Sequence, residues 1–110
     1  MIVDERIYTL KIGKLKEYLE LYENKGFAVQ TRILGHMVGY FHTEIGPLNQ
    51  IVHLWAYDNF EERTKRRAIL GVNPEWMAYV KEMRPLLEKQ ENKILLPAPF
   101  SPIHKSNITD

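Results

Sequence analysis

Along this 110-residue chain, some segments have strand-like runs of apolar residues and others have apolar residues at the helical spacing of three or four. The two kinds of segment alternate. Residues 2–10 are rich in β-branched and aromatic residues and end before Gly13, which predicts a first strand. The next apolar residues recur at helical spacing: Leu15, Tyr18, Leu19 and Tyr22. Gly26 is expected to stop or bend that helix. A second helical piece is predicted over residues 27–34, with Gly35 at its end.

Two strand-like runs then flank Gly46 and Pro47, which together predict a hairpin between residues 37 and 57. Pro47 cannot adopt the positive φ that a tight primed turn requires, so we expect a four-residue loop over residues 46–49. This register places His42 opposite His53, Tyr40 opposite Trp55, and Ile45 opposite Gln50. Because strand side chains alternate between faces, one face is aromatic and histidine-bearing and the other is compact and apolar.

The rest of the chain predicts two more helices and a strand. Asp58 or Asn59 can cap a helix that runs to about residue 70 and ends at Gly71. Asn73 and the proline after it begin another helix. The apolar stripe of that helix comprises Trp76, Val80, Met83 and Leu87. Pro85 is expected to kink or restart it, and residues 93–96 form a short last strand.

The predicted order is therefore β-α-β-β-α-β, an α+β ferredoxin-like sandwich with a four-stranded antiparallel sheet. We expect one domain over residues 1–103 and a loose tail over residues 104–110. Helices cover only one face of such a sheet, so the other face predicts a homodimer in which two sheets pack together. The proline-rich residues 97–102 would then form a strap across the partner.

Composition limits the function classes. The net charge is +1, and 45% of the residues are hydrophobic, as in ordinary soluble domains. The chain contains no cysteine, which excludes disulfides, thiolate nucleophiles and Cys-ligated metals. No apolar run approaches the ~18 residues that a membrane span needs, and the N-terminus has early acids. We therefore expect a cytoplasmic protein with no membrane or nucleic-acid partner.

The unusual side chains of the hairpin are the first candidates for a site. His53, on a strand predicted to be interior, is the preferred acid–base group, with His42 beside it. Tyr40 and Trp55 would line a pocket for a small aromatic or apolar molecule. The two histidines with Glu44 also resemble a two-histidine, one-carboxylate metal site, but Glu44 lies diagonally off the pair, so we predict no metal. Burial of this surface in a dimer interface is an equally open alternative.

The first strand adds Arg6 and Tyr8, which share one face with Asp4. A buried arginine needs an anion, and we expect a carboxylate of the chain, from Asp4, Glu44 or Glu91, to supply it. The functional alternative is that Arg6 anchors an anionic ligand, with Tyr8 next to it.

A basic run at residues 63–67 also invites a nucleic-acid interpretation. Glu61 and Glu62 lie one turn upstream, and no second basic patch with interleaved aromatics accompanies the run. A solvated helix face is the preferred interpretation. The chain also lacks a Walker loop, a dinucleotide-binding glycine pattern and an H-E-x-x-H motif, and its two serines, Ser101 and Ser106, both lie after residue 100.

Several segments carry a resemblance to a known family. The most specific are GYFHTEIGPLNQIVHLWAYD and ILLPAPFSP, with IYTLKIGKLKEYLELYE and NPEWMAYV in support. The chain resembles the NIPSNAP family over residues 7–102, although Glu5 stands where an apolar residue is expected. The resemblance implies a dimeric α+β barrel, a fold group that also holds cofactor-free monooxygenases, haem-degrading enzymes and muconolactone-type isomerases, with ligands between sheet and helices. It supplies no agreed catalytic residues.

Eukaryotic relatives in that family carry mitochondrial targeting segments. The early acids at the N-terminus of this chain are not typical of such a segment, so the chain resembles a stand-alone bacterial form. Two functions follow as expectations. One is a homodimer that binds or transforms a small aromatic or apolar molecule without a cofactor. The alternative is a non-catalytic structural or adaptor module that acts through dimerisation and partner binding. The pattern of residues does not decide whether the protein is an enzyme.

Overall fold

The computed structural model describes residues 1–104 and contains one four-stranded sheet with helices on one side. The strands are β1 (Ile2–Leu10), β2 (His36–His42), β3 (Gln50–Tyr57) and β4 (Leu87–Leu95). The helices are α1 (Leu15–Leu21), α2 (Phe27–Leu34), α3 (Phe60–Gly71) and α4 (Pro74–Met83). A π-helical turn (Tyr22–Gly26) joins α1 to α2, and a 3-10 turn (Arg84–Leu86) precedes β4.

The sheet is antiparallel throughout, with strand order β2-β3-β1-β4, so β1 and β3 are interior. The predicted ferredoxin-like βαββαβ fold is confirmed. No helix within residues 1–104 has the length and apolar character needed to span a membrane. The predicted loose tail lies, apart from His104, outside the described residues.

Short-range polar contacts set the ends of the helices where the sequence predicts them. The side chain of Asn59 accepts a hydrogen bond of 2.8 Å from the Glu62 amide and caps α3. Asn73 caps α4 in the same way, with 3.0 Å to the Trp76 amide. Gly35, at φ +94°, ends α2 in a conformation that glycine adopts without strain. These helix boundaries are properties of the local sequence.

Strand β4 is longer than predicted. It begins at Leu87, a residue assigned above to the apolar stripe of α4, and that assignment is wrong. Pro85 cannot continue an α-helix, and the open edge of β1 offers hydrogen-bond partners from Leu10 to Val3. Residues 89–93 therefore pair with β1 although three of the five are charged. Charged side chains are typical of an edge strand, where they discourage further pairing.

The predicted hairpin register is wrong by two residues over residues 39–42, and by three at Met37, beyond an irregularity in β2. Tyr40, rather than His42, pairs with His53, and His42 pairs with Ile51. Trp55 is therefore not opposite Tyr40. Because the shift is an even number, each of these side chains remains on the face that the sequence predicts for it.

The cause of the shift is the connecting loop. The amide of Thr43 donates to the carbonyl of Gln50 at 3.1 Å, so the loop spans residues 44–49 instead of 46–49. Gly46 at φ +127° and Asn49 at φ +64° supply the positive φ angles that this longer connection needs. The loop length is thus set by two backbone positions that the turn pattern alone did not distinguish.

The two faces of the sheet have different environments. The helix-facing side carries most of the buried side chains of β1 and β3, among them Tyr8, Ile51 and Trp55. No helix of residues 1–104 covers the outer side, where Phe41 is 58% exposed. The chain after β4 returns along that outer side. A cavity of about 220 Å³ separates it from the sheet, lined by Val3, Val38, Leu54, Leu95, Leu96, Pro97, Ser101 and Ile103.

Gly26 gives a test of this packing. A Cβ at residue 26 would lie 2.8 Å from Cδ1 of Tyr22 and 3.0 Å from Cζ of Tyr79, both in the buried core. We expect Gly26→Ala to lower the free energy of unfolding by about 1–3 kcal/mol, measured by urea denaturation. Gly71→Ala is the control, because nothing lies within 4 Å of its Cβ, and it should raise stability by about 0.5–1 kcal/mol. Stabilisation by both changes would contradict the close packing at Gly26.

Candidate functional site

A buried carboxylate lies at the centre of the helix-facing side of the sheet. Asp4, on β1, is 0% exposed. Its Oδ2 accepts from Nε of Arg63 at 2.9 Å and from Nη1 of Arg6 at 3.2 Å, and its Oδ1 accepts from Asn92 at 3.2 Å. The expected pairing of Arg6 with a carboxylate of the chain is confirmed, with Asp4 as the partner.

The basic run on α3 is only partly the solvated face predicted above. Lys65 is exposed, and Arg66 pairs with Glu62 at 3.0 Å, but Arg63 points towards Asp4 and is 21% exposed. Arg67, one turn later, is also partly buried. The stripe formed by residues 63, 67 and the buried Leu70 has helical spacing and indicates the sheet-facing side of α3. This spacing is the pattern that the earlier interpretation overlooked.

These side chains form what we call the arginine cluster: Arg6, Arg63 and Arg67 around Asp4. Burial lowers the pKa of Arg67, and the positive charges of Arg6 and Arg63 lower it further. Burial alone would raise the pKa of Asp4, but the hydrogen bonds from Asn92 and Arg63, with the charge of Arg6, lower it. Asp4 is therefore ionised at neutral pH. Positive charge exceeds negative charge in the cluster.

His53 adjoins the arginine cluster directly, because it pairs with Arg6 across β1 and β3. It is 1% exposed, and its Nδ1 accepts a hydrogen bond of 2.7 Å from Nε1 of Trp55. Indole N–H is a donor only, so the neutral imidazole carries its proton on Nε2. Burial, helped by the charges of Arg6 and Arg67, lowers the pKa of His53 to about 3. This neutral ring can donate a hydrogen bond from Nε2.

On its other side His53 joins a layer of tyrosines. Its ring stacks on Tyr40 at 4.6 Å between centroids and meets Tyr8 edge-on at 4.8 Å. The Tyr18 and Tyr40 hydroxyls are 2.6 Å apart and share a hydrogen bond. Burial raises the pKa of Tyr40, and the hydrogen bond with Tyr18 offsets this rise only in part. These hydroxyls therefore stay protonated and act as hydrogen-bonding groups.

The structure separates the other predicted site residues. Trp55 is 0% exposed and packs in the core beneath the helices, so it does not belong to an outer dimer surface. The alternative in which Trp55 and His53 fill a dimer interface is contradicted by this placement. His42 is exposed at the end of β2, and Glu44 is exposed in the loop. Within residues 1–104, no three histidine or carboxylate side chains are grouped so as to hold a metal ion.

Two of the cavities lined by residues 1–104 lie on the helical side. One, of about 280 Å³, is lined by Leu19, Tyr22, Glu23, Phe27, Met37 and Tyr40. The other is an open groove of about 730 Å³ along α4, lined by Gly71, Trp76, Met77, Val80, Lys81, Arg84 and Pro85. Neither is lined by His53, which is enclosed by Tyr8, Tyr40 and Trp55. The smaller cavity shares Tyr40 with the predicted pocket.

The NIPSNAP family model matches residues 3–102. The chain belongs to the NIPSNAP family. A NIPSNAP-like domain protein from Burkholderia xenovorans is 51% identical, with a TM-score of 0.90 over 93% of this chain and 89% of that one. A NIPSNAP family protein from Agrobacterium tumefaciens is 46% identical, with a TM-score of 0.92 over 94% and 98%.

Among curated proteins, the NipSnap homolog of Dictyostelium discoideum is 39% identical over 92 residues. The match covers 84% of this NIPSNAP chain and 40% of that relative. The chain thus spans about 40% of the length of the first curated relatives that it matches. An antibiotic biosynthesis monooxygenase, 13% identical with a TM-score of 0.65 over 90% of this chain and all of that one, shares the fold alone.

The neutral state of His53 predicts a specific acid sensitivity. Its pKa is lowered from 6.5 in the unfolded chain to about 3 in the fold, so only the unfolded state takes up this proton below pH 6.5. Stability is therefore expected to fall as pH decreases from about 6.5 towards 3. Between pH 7.5 and 5 the loss should be about 2 kcal/mol, measured by urea denaturation.

The control is His53→Asn, whose Oδ1 can still accept the bond from Trp55 but which cannot bind the proton. Between pH 7.5 and 5, His53→Asn should lose about 2 kcal/mol less unfolding free energy than the unchanged protein. His42→Asn should lose as much as the unchanged protein, because His42 is exposed. An equal loss in the unchanged protein and in His53→Asn would contradict the neutral assignment.

Proposed function

We propose that this NIPSNAP protein is a homodimer that binds a small aromatic or apolar molecule between its sheet and its helices, without a cofactor. The observation that carries the proposal is the cavity of about 280 Å³ beside Tyr40. Its lining is aromatic and aliphatic, with the single carboxylate of Glu23 at its margin. Small-molecule sites are commonly apolar clefts with a few placed polar groups, and this cavity has that character.

The wall of the cavity is pre-formed. Tyr22 stacks on Tyr40 at 4.5 Å, and Phe27 meets Tyr22 edge-on at 6.1 Å. Tyr22 is fixed further by a hydrogen bond of 2.6 Å from its hydroxyl to Gln30. Tyr22 and Glu23 lie in the π-helical turn, a local widening that is frequent at functional sites. A rigid aromatic wall lowers the entropy cost of binding a flat ligand.

Binding, rather than chemistry, is the role that these contacts favour. The acid–base roles of His53 and His42 stay predictions from the sequence. His53 has its Nδ1 lone pair engaged by Trp55 and holds a proton on Nε2 at neutral pH, which suits a hydrogen-bond donor better than a base. His42 lies at the exposed end of β2.

The outer face of the sheet supports the homodimer. The apolar residues of this face that keep solvent exposure lie on β1, β2 and β3 and at the end of β4: Ile7, Phe41, Val52, Leu54 and Leu95. Its charged residues lie mainly on β4. An apolar sheet face that lacks a helical layer favours a second copy of the same face, related by two-fold symmetry.

Occlusion of the cavity tests the binding function. We expect the neutral fluorophore N-phenyl-1-naphthylamine to bind the unchanged protein, and Leu19→Trp to weaken binding at least about tenfold because the indole fills the space. Fluorescence titration gives both dissociation constants. Ile12→Trp adds the same indole at a site that is 87% exposed and should leave binding unchanged. Equal affinity in Leu19→Trp would exclude this cavity as the site.

A charge on the outer face tests the dimer. Phe41→Asp should shift the protein from dimer to monomer in sedimentation velocity, because an ionised carboxylate is costly inside an apolar interface. Phe60→Asp is the matched control. Phe60 is 56% exposed against 58% for Phe41, and it begins α3, where an acid is well tolerated. A monomer in the unchanged protein, or a dimer in Phe41→Asp, would count against the outer face as the interface.

A further inference from the structure

Three buried polar atoms on the helix-facing side of the sheet have no hydrogen-bond partner within residues 1–104. They are Nε of Arg6, Nε2 of His53 and the hydroxyl of Tyr57. Buried polar groups in proteins are almost always paired, so unpaired groups gathered in one region need an explanation. The first two are N–H donors, and a hydroxyl can donate as well. The missing partner is therefore an acceptor.

The charges around these atoms indicate the same kind of partner. Three guanidinium groups, of Arg6, Arg63 and Arg67, surround one carboxylate, so two positive charges lack compensation. Asp4 holds Arg6 and Arg63, but Arg67 makes no ion pair in the part of the chain that the structure describes. The three guanidinium groups and Asp4 all act electrostatically on Tyr57, and Arg6 and Arg67 also act on His53. The unpaired donors and the excess charge thus occupy one region.

We propose that the arginine cluster is an anion-binding site that takes a doubly charged oxyanion, such as the phosphate group of a small molecule. Guanidinium groups bind phosphate through paired, charge-assisted hydrogen bonds. A dianion matches the two uncompensated positive charges. His53 Nε2–H and the Tyr57 hydroxyl are two further unpaired donors in the field of the same arginines.

The site is preorganised and partly exposed. Asp4 fixes Arg63 at 2.9 Å and Arg6 at 3.2 Å before any ligand arrives. Asn92, which also holds Asp4, is an exposed residue of the edge strand β4. Arg6, Arg63 and Arg67 are each partly exposed, so the cluster is accessible to an anion from solvent. The site is separate from the cavity beside Tyr40, because neither Arg6 nor His53 lines that cavity.

Arg67 is the residue whose replacement tests the site. Inorganic phosphate is titrated at about pH 8, above its second pKa, into the unchanged protein, Arg67→Gln and Lys65→Gln. Lys65 lies on the same helix, is exposed, and loses the same charge. Sodium chloride keeps the ionic strength constant, and benzoate replaces phosphate in a parallel arm as a singly charged carboxylate. Calorimetry gives the dissociation constants, and thermal melting gives the stability of each protein.

We expect saturable phosphate binding to the unchanged protein and to Lys65→Gln, and binding at least about tenfold weaker in Arg67→Gln. Without phosphate, Arg67→Gln should melt at the same or a higher temperature than the unchanged protein, because a buried repulsion is removed. Three results would overturn the proposal. They are equal phosphate affinity in Arg67→Gln and Lys65→Gln, the same binding signal when sodium chloride replaces phosphate, and benzoate binding as tight as phosphate binding. A lower melting temperature of Arg67→Gln would also overturn it, because it would assign Arg67 a structural role. The affinity of Leu19→Trp for phosphate should be unchanged, so this site and the proposed cavity succeed or fail separately.

Discussion

The carboxylate of Asp4 is the interaction on which the arrangement of sheet and helix depends. An ionised group that is 0% exposed is stable only when its lone pairs are matched by donors. Those donors come from three elements: Arg6 on the central strand β1, Arg63 on α3 and Asn92 on the edge strand β4. The polar contacts of one side chain therefore fix α3 over the sheet and tie β4 to β1 beyond the backbone ladder.

The same arrangement determines the chemistry of its neighbour, His53. Burial and the adjacent arginines keep its imidazole neutral, and Trp55 fixes the proton on Nε2. His53 thereby divides the helix-facing side of the sheet into two parts. On one side lie stacked tyrosines that form an apolar wall, and on the other lie guanidinium groups with more charge than Asp4 compensates. The two proposed sites, one apolar and one for an anion, therefore lie on opposite sides of a single buried ring.

Much of the fold could be predicted because its determinants are local. Asn59 and Asn73 cap the helices that follow them, and Gly35 ends α2 with a positive φ, as their positions in the sequence indicate. Strand periodicity also predicted the face on which His53 and Tyr40 lie. The hairpin register was not predictable, since it depended on whether Thr43 or Ile45 would face Gln50 across the loop. The predicted start of β4 was wrong for a similar reason: the hydrogen-bond partners of this strand lie on β1, at the other end of the chain.

The candidate site also has one part that the local sequence determines and another that depends on distant contacts. Arg6 and its need for an anion follow from a polar residue on a central strand, whereas Arg63 and Arg67 looked like part of a solvated basic run. The sequence by itself determined the elements, the face of each strand residue and the presence of buried charge on β1. Only the tertiary structure decided which side of α3 meets the sheet, and so which arginines surround Asp4. The physical reason is range: capping, backbone conformation and side-chain alternation act over a few residues, while charge pairing joins groups such as Asp4 and Asn92 that are 88 positions apart.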